Sequence, residues 1–137
     1  MIAYFDSSFV ISLFSKGGLY KELKKIESAS TSRIMVVECF RTFDRLVREN
    51  KMTESTGVKA KSELYQFCNR LEILRLTESV LERASTNFGL TIGTLDSIHL
   101  SSCLEWRERK GVDPAFFTHD KQLGKVARAQ GLHVIGC

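Results

Sequence analysis

The sequence has a single proline among its 137 residues, and it contains no low-complexity tract and no internal repeat. These absences argue against disordered segments and flexible linkers. No apolar run approaches the roughly 20 residues that a membrane-spanning helix needs. The first residues, Met1 to Asp6, lack the charged start and long apolar stretch of a signal peptide. We therefore expect one soluble, cytoplasmic domain over residues 1–137 with no membrane association.

Cysteine and histidine are also scarce, with four and three residues, and no two cysteines form a C-x-x-C pair. A zinc site would need clustered Cys and His ligands, and a disulfide framework would need a secreted chain. We interpret the cysteines as buried thiols in a reducing compartment. They are Cys39, Cys68, Cys103 and Cys137.

The overall composition, 43% hydrophobic and 26% charged, is that of an ordinary globular protein. Twenty Lys and Arg against sixteen Asp and Glu give a net charge of +4. This excess is compatible with a nucleic-acid partner but too small to identify one.

Apolar segments alternating with helical patterns predict an α/β domain. Strands are predicted at 2–5, 71–76, 114–118 and 132–135, and the polar connection 28–33 has room for one very short strand. Helices are predicted at 9–15, 19–27, 54–70, 78–88, 94–110 and 120–131, with caps or stops that include Gly17-Gly18, Thr53, Thr77, Gly111 and Gly131. The predicted fold is a three-layer α/β/α sandwich around a mostly parallel sheet.

A further helix is predicted from a repeat of apolar residues at i, i+4, i+7 and i+11. The residues of this predicted buried face are Val36, Phe40, Phe43 and Val47. Charged residues step along another face of the same helix, namely Glu38, Arg41, Arg45 and Arg48.

Acidic residues follow two of the predicted strands. Asp6 comes directly after the first strand, and Asp120 follows another strand after two residues. Ligands of parallel sheets bind beyond the carboxyl ends of the strands, so both side chains are expected at one edge. Taken alone, Asp6, Asp96 and Asp120 read more simply as helix caps or first-turn acids, and Glu38 as a surface residue.

Four carboxylates gathered at one site would repel one another unless a cation compensated them. Mg²⁺ or Mn²⁺ suits such all-oxygen ligands, and it can activate a water for attack on a phosphate. We expect Asp6, Glu38, Asp96 and Asp120 to bind this ion and to be catalytic. The hydroxyls of Ser7 and Thr118 are candidates to orient these ligands.

At these residues the sequence resembles PIN-domain proteins, and among them the VapC-type toxins of bacterial and archaeal toxin–antitoxin pairs. The matching segments are 4–8 (YFDSS), 31–38 (TSRIMVVE) with Arg41, 94–100 (TLDSIHL), and 117–120 (FTHD), which leads into Leu123 and Ala127. They follow the family's order over essentially the whole chain.

The resemblance implies a PIN-like fold in which Asp6, Glu38 and Asp96 match the three principal acidic positions and Asp120 the fourth. Such proteins hold Mg²⁺ or Mn²⁺ and cleave RNA. It also implies a homodimer and an antitoxin that covers the acidic site. One departure concerns substrate contacts, because Gly93 or Thr94 stands where the family often has Arg or Lys.

Further polar residues are candidates for RNA contacts. Arg41 and Arg45 lie on the Glu38 side of their helix, and His119 adjoins Asp120. Arg41 is as readily a partner of a local carboxylate, and Arg48 is better explained as solvated. His99, one turn after Asp96, fits a general base but is better explained as a hydrogen-bonded structural histidine.

The leading interpretation is a metal-dependent endoribonuclease acting as a toxin. An RNA-processing PIN nuclease without a toxin role is a close alternative. Acyl-phosphate chemistry at Asp6 lacks a second Asp or a Lys at a suitable offset. A non-catalytic RNA-binding module would tolerate Asp6→Asn and Asp96→Asn, which the nuclease would not.

Overall fold

Five strands form the central sheet in a computed structural model that describes residues 1–15 and 21–137. They are β1 (Ile2–Phe5), β2 (Ser28–Ser32), β3 (Glu72–Leu74), β4 (Ala115–Phe117) and β5 (His133–Ile135). Their order is β3-β2-β1-β4-β5, and all four neighbouring pairs are parallel. All carboxyl ends therefore lie at one edge of the sheet.

Six α-helices connect and cover the strands within the described residues. They are α1 (Ser7–Ser15), α2 (Arg33–Arg48), α3 (Glu54–Cys68), α4 (Glu78–Ala84), α5 (Thr94–Lys110) and α6 (Lys121–Ala129). The side chains of Thr53, Thr77 and Asp120 accept hydrogen bonds from the first turns of α3, α4 and α6. Gly111 ends α5 with a φ of 64°, a left-handed conformation that favours glycine.

Side chains that alternate along the strands divide the interior into two cores. Phe5 and Phe117 pack with α1, α2 and α3 on one face of the sheet. Tyr4 and Phe116 stack on the other face, at a centroid distance of 5.3 Å, and pack with α5 and α6. The predicted three-layer α/β/α fold is thereby confirmed, and its sheet is entirely parallel.

The segment 28–33 departs most from its prediction. Instead of a very short strand, it forms β2, a five-residue strand between β1 and β3. Its sequence Ser-Ala-Ser-Thr-Ser lacks the large apolar residues that mark a buried strand. Thr31 is nevertheless fully buried. Its hydroxyl remains satisfied there because it donates to the carbonyl of Phe5 at 2.7 Å.

The larger differences from the predicted helices concern three of them. The predicted helix 19–27 is a 3₁₀-helix over Lys21–Lys25, while its first residues and the predicted stop at Gly17-Gly18 lie outside the described residues. Helix α4 ends at Ala84, four residues earlier than predicted. The buried stripe of α2 consists of Met35, Cys39 and Phe43.

The predicted face of α2 was therefore wrong in its centre. Val36, Phe40 and Val47 are only partly buried, because they lie beyond Phe43 at the edge of the true stripe, about 20° to 60° further around the helix. Phe40 contacts the ring of Tyr65 on α3, at a centroid distance of 5.1 Å, near the border of the interface. No helix in the described part of the chain is both long and apolar enough to cross a membrane.

Helix α5 packs against β2, and several of the buried residues of α5 are serines. The hydroxyl of Ser102 donates to the carbonyl of Ile98 at 2.8 Å, whereas the hydroxyl of Ser101 is buried with no partner among the described residues. A buried hydroxyl without a hydrogen bond carries a desolvation cost.

We predict that Ser101→Ala stabilises the fold, raising the free energy of unfolding by about 1 kcal/mol, because it removes this cost and favours the helix. Ser102→Ala is the matched control, since it removes a satisfied hydroxyl from the next position of the same helix. Urea denaturation of both variants measures the difference. A lower stability for Ser101→Ala than for Ser102→Ala would contradict the prediction.

Candidate functional site

Asp6 leaves the carboxyl end of β1 and is buried, with 3% of its surface exposed. Its backbone N–H donates to the carbonyl of Phe117 at 3.0 Å, which ties the ends of β1 and β4 together. The next residue along β4, Thr118, donates its own N–H to Ile135 of β5 at 3.0 Å. The predicted meeting of Asp6 and the segment that carries Asp120 at one edge of the sheet is therefore present.

Hydroxyl groups fix the Asp6 carboxylate. Its Oδ2 accepts hydrogen bonds from Thr118 Oγ1 at 2.8 Å and from Ser8 Oγ at 2.5 Å. Thr118 thus occupies the orienting position expected from the sequence. Ser8 was not predicted, although a hydroxyl two residues after an Asp commonly forms such a local hydrogen bond.

Glu38 reaches the same edge from α2, with 20% of its side chain exposed. Its Oε2 accepts two hydrogen bonds, one from the Ser7 hydroxyl and one from His99 Nε2 at 2.7 Å. Ser7, at the start of α1, is itself 2.8 Å from His99 Nε2. The orienting hydroxyl of Ser7 acts on Glu38, as that of Thr118 acts on Asp6.

His99 contacts the carboxylates of both Asp6 and Glu38 from the protein interior. Its ring has no exposed surface, and Nε2 lies 3.6 Å from Asp6 Oδ1 as well as 2.7 Å from Glu38 Oε2. On its other side, Nδ1 is 3.1 Å from the Tyr4 hydroxyl. The arrangement agrees with the expectation of a hydrogen-bonded structural histidine, and it places that histidine directly against two candidate ligands.

Asp96 lies in the first turn of α5 and is partly buried. Its pKa is raised from 3.8 to about 6, first by burial, then by the negative charges of Asp120 and Asp6. His99 lowers it, and Glu38 raises it a little further. Asp96 is therefore close enough to the other three predicted carboxylates for their charges to shift its pKa.

Asp120 combines its position near Asp96 with a capping role. Its Oδ1 accepts from the backbone N–H of Leu123 at 2.8 Å, and its own N–H donates to Thr118 Oγ1 at 3.0 Å. The simpler interpretation of Asp120 as a helix cap is thus correct, and it is compatible with a place in the acidic cluster.

No Lys or Arg neutralises this cluster within the described ranges. Asp6 and Glu38 contact His99 Nε2 but no Lys or Arg, and neither Asp96 nor Asp120 forms an ion pair. Four neighbouring carboxylates without a basic partner leave a concentrated negative charge.

The donor set fits a hard divalent cation in chemistry and in charge. All four side chains offer oxygen ligands, which Mg²⁺ and Mn²⁺ prefer, and burial together with the negative charges of the other three raises the pKa of Asp96. The side chains do not form a coordination shell in this structure, since no group of three or more acidic, His or Cys residues among those described is arranged to hold a metal. The four residues therefore match a metal site in their chemical type and in their position at the carboxyl ends of the strands.

The arginines expected to contact RNA lie on the open side of α2. Arg41 and Arg45 are exposed and form no ion pair with any described residue. Asp44, three residues further along the helix, instead pairs with Lys61, whose hydrogen bond is the main cause of its lowered pKa, and the charge of Arg41 is a smaller cause. The alternative that Arg41 serves only to pair a local carboxylate therefore has less support.

His119 is held within the fold. Its Nδ1 donates to the carbonyl of Gly136 at 2.8 Å, and its backbone N–H donates to Ser8 Oγ at 2.9 Å. The ring lies 5.4 Å from that of Phe9 on α1. These contacts give His119 a structural role beside the site.

We predict that Asp96 titrates with a pKa of about 6 in the EDTA-treated protein, followed by carboxyl carbon NMR. Asp120→Asn should lower that pKa, because it removes the largest charge effect on Asp96. Asp113→Asn is the matched control, since Asp113 is exposed and precedes β4 at the opposite edge of the sheet. An Asp96 pKa near 4 in the unmodified protein would contradict the prediction.

The same shift predicts how stability depends on pH. A carboxyl whose folded pKa is raised stabilises the fold while it is protonated, and that contribution is lost as the pH rises from about 4 through about 6. Asp96→Asn cannot ionise, so its stability relative to the unmodified protein should increase over this range and level off above it. Thermal unfolding measured at several pH values tests this, and a constant difference would contradict it.

Comparison with known proteins agrees with this geometry. A family model described as the PIN domain matches residues 3–129, and no curated protein matches the chain. Among solved structures, a chain of the crystal structure of VapBC2 from Rickettsia felis bound to a DNA fragment from their promoter is similar, with a TM-score of 0.68. The alignment covers 98% of this chain and 97% of that one at 18% identity, which establishes a shared fold. Since the family model spans nearly the entire sequence, the chain belongs to the PIN domain family.

Proposed function

We propose that this protein is a metal-dependent endoribonuclease that acts as the toxin of a toxin–antitoxin pair. The observation that carries the proposal is the acidic cluster at the carboxyl edge of the sheet. Burial and the charges of Asp120, Asp6 and Glu38 raise the pKa of Asp96 there, and none of these carboxylates pairs with a Lys or Arg among the described residues. Membership of the PIN domain family supports a nuclease, and the metal dependence and the RNA substrate are parts of our proposal.

The four carboxylates are the proposed ligands of Mg²⁺ or Mn²⁺, which when bound activates a water and stabilises negative charge on the phosphate. Thr118 and Ser8 hold Asp6, while Ser7 and His99 hold Glu38, so two of the ligands are already oriented. Asp96 binds a proton more tightly than an ordinary Asp, and this proton must leave before the carboxylate can bind a cation.

RNA is the proposed substrate, and α2 supplies its phosphate contacts. Arg41 and Arg45 follow Glu38 by three and seven residues, which corresponds to about 4.5 and about 10.5 Å along the helix axis. Exposed guanidinium groups at these distances are suited to the phosphates on either side of the cleaved bond. Arg48 is about 15 Å away on the same scale and is left out of the contact surface.

A cognate antitoxin and a second copy of the chain are the proposed protein partners. The similar Rickettsia felis structure is named as VapBC2 bound to promoter DNA, which favours an antitoxin partner. A basic side chain from an antitoxin would find a complementary site in the four carboxylates, since bidentate pairs of Arg and carboxylate are strong. Such a contact would inhibit cleavage by occupying the ligand oxygens.

We predict that the protein cleaves RNA with Mg²⁺ or Mn²⁺ and not with EDTA, and that Asp6→Asn and Asp96→Asn each lower the rate at least about 100-fold. Replacing one ligand oxygen with an amide nitrogen weakens cation binding while it preserves the size of the side chain. A fluorescent RNA in a gel assay measures the rates, and far-UV circular dichroism checks the fold.

Asp113→Asn makes the same chemical change far from the site and should cleave like the unmodified protein. Full activity in EDTA or in Asp96→Asn would refute the metal nuclease. RNA binding without cleavage, equal in the unmodified protein and in both variants, would indicate a non-catalytic RNA-binding module. Cleavage without growth inhibition when the gene is expressed alone would favour an RNA-processing enzyme over a toxin.

We predict that Arg41→Ala weakens RNA binding and reduces the slope of log affinity against log salt concentration by about 1, because one phosphate contact is lost. Arg48→Ala is the matched control, with the same charge change further along α2. Fluorescence anisotropy in EDTA, which prevents cleavage, measures both. Equal losses in the two variants would mean that only overall charge matters.

A further inference from the structure

We infer that His99 is a positioning residue that holds the Glu38 carboxylate in place for the cation. The inference rests on the proposed function, and it assigns to a buried histidine a role in assembling the site. His99 is separated from Glu38 by 61 residues along the chain, yet the two side chains meet at 2.7 Å.

The direction of this hydrogen bond follows from the acceptor. An ionised carboxylate can only accept, so Nε2 must carry the hydrogen that it shares with Glu38 Oε2. The Ser7 hydroxyl also donates to Oε2, so two donors converge on one oxygen. Glu38 is therefore fixed through Oε2, and Oε1 forms no hydrogen bond with the described residues.

The opposite side of the ring is anchored by Tyr4. Its hydroxyl lies 3.1 Å from Nδ1, and both side chains are fully buried. The Tyr4 hydroxyl has one hydrogen, which it can donate to Nδ1 because the hydrogen of the ring lies on Nε2. The ring is thus oriented by β1 on one side, while it orients a residue of α2 on the other.

This geometry argues against His99 as the general base. The ring has no exposed surface, and both nitrogens are already engaged. A base must reach a water or a substrate atom. A donor that is buried, anchored and aimed at a ligand is instead typical of the partners that orient metal ligands.

Two amide substitutions separate the donor from simple packing. His99→Gln places an amide nitrogen near the position of Nε2, whereas the shorter His99→Asn reaches only the region of Nδ1. Mn²⁺ affinity, measured by electron paramagnetic resonance of free Mn²⁺, should fall by 10- to 100-fold in His99→Asn and stay within about threefold of the unmodified protein in His99→Gln. Long-range ¹⁵N–¹H NMR should show a hydrogen on Nε2 of the metal-free protein.

The outcomes are distinct. If the unmodified protein binds no Mn²⁺, the proposed function fails and this inference fails with it. If it binds Mn²⁺ and His99→Asn binds equally well, only the inference is overturned. Equal losses of affinity and thermal stability in both amide variants would also overturn it, because that result indicates packing alone.

Tyr4→Phe provides a second test if His99→Asn does not fold. The substitution keeps the aromatic ring that stacks on Phe116 and removes the hydroxyl that anchors His99. That hydroxyl also contacts Ser102 and the backbone of Ser32. It should weaken Mn²⁺ binding and alter the NMR signals of the His99 ring. Unchanged affinity in this variant would overturn the role of the anchored histidine.

Discussion

Repulsion among four carboxylates is the interaction on which the site depends. A parallel sheet brings the ends of β1 and β4 to one edge, and α2 and α5 add Glu38 and Asp96 there. No Lys or Arg among the described residues pairs with these carboxylates, and burial together with the charges of the other three raises the pKa of Asp96. The packing of the fold holds these carboxylates close together despite their repulsion, and a bound divalent cation would compensate that repulsion.

The surrounding polar residues share the task of fixing this arrangement. Hydroxyl groups at the start of α1 and after β4 donate to Asp6 and Glu38, so the backbone turns that end the strands also orient the ligands. His99 extends this support into the core through Tyr4. The site is therefore rigid on the side of β1 and α2, while Asp96 has no hydrogen bond that fixes its carboxylate among the described residues. A bound cation would therefore fix the Asp96 carboxylate more than it would the other side chains of the site.

Much of this was predictable from the sequence, for physical reasons that differ between elements. Apolar runs marked β1 and β4, and Gly111 marked the end of α5, because the left-handed backbone there favours glycine. The positions of Asp6 and Asp120 followed from strand ends alone. In contrast, β2 was underestimated because its buried side chains are small or polar, and the hydrogen bond that satisfies Thr31 joins it to Phe5, a residue distant in sequence. The link between His99 and Glu38 was equally invisible, since it joins helices from opposite faces of the sheet.

The most direct test of the central claim is anomalous X-ray diffraction from crystals of the protein grown with Mn²⁺. The account predicts one strong anomalous peak within coordination distance of Asp6 and Asp96, with Glu38 and Asp120 around it directly or through water. No peak at saturating Mn²⁺, or a peak only at other acidic residues such as Glu105 and Glu108, would contradict it.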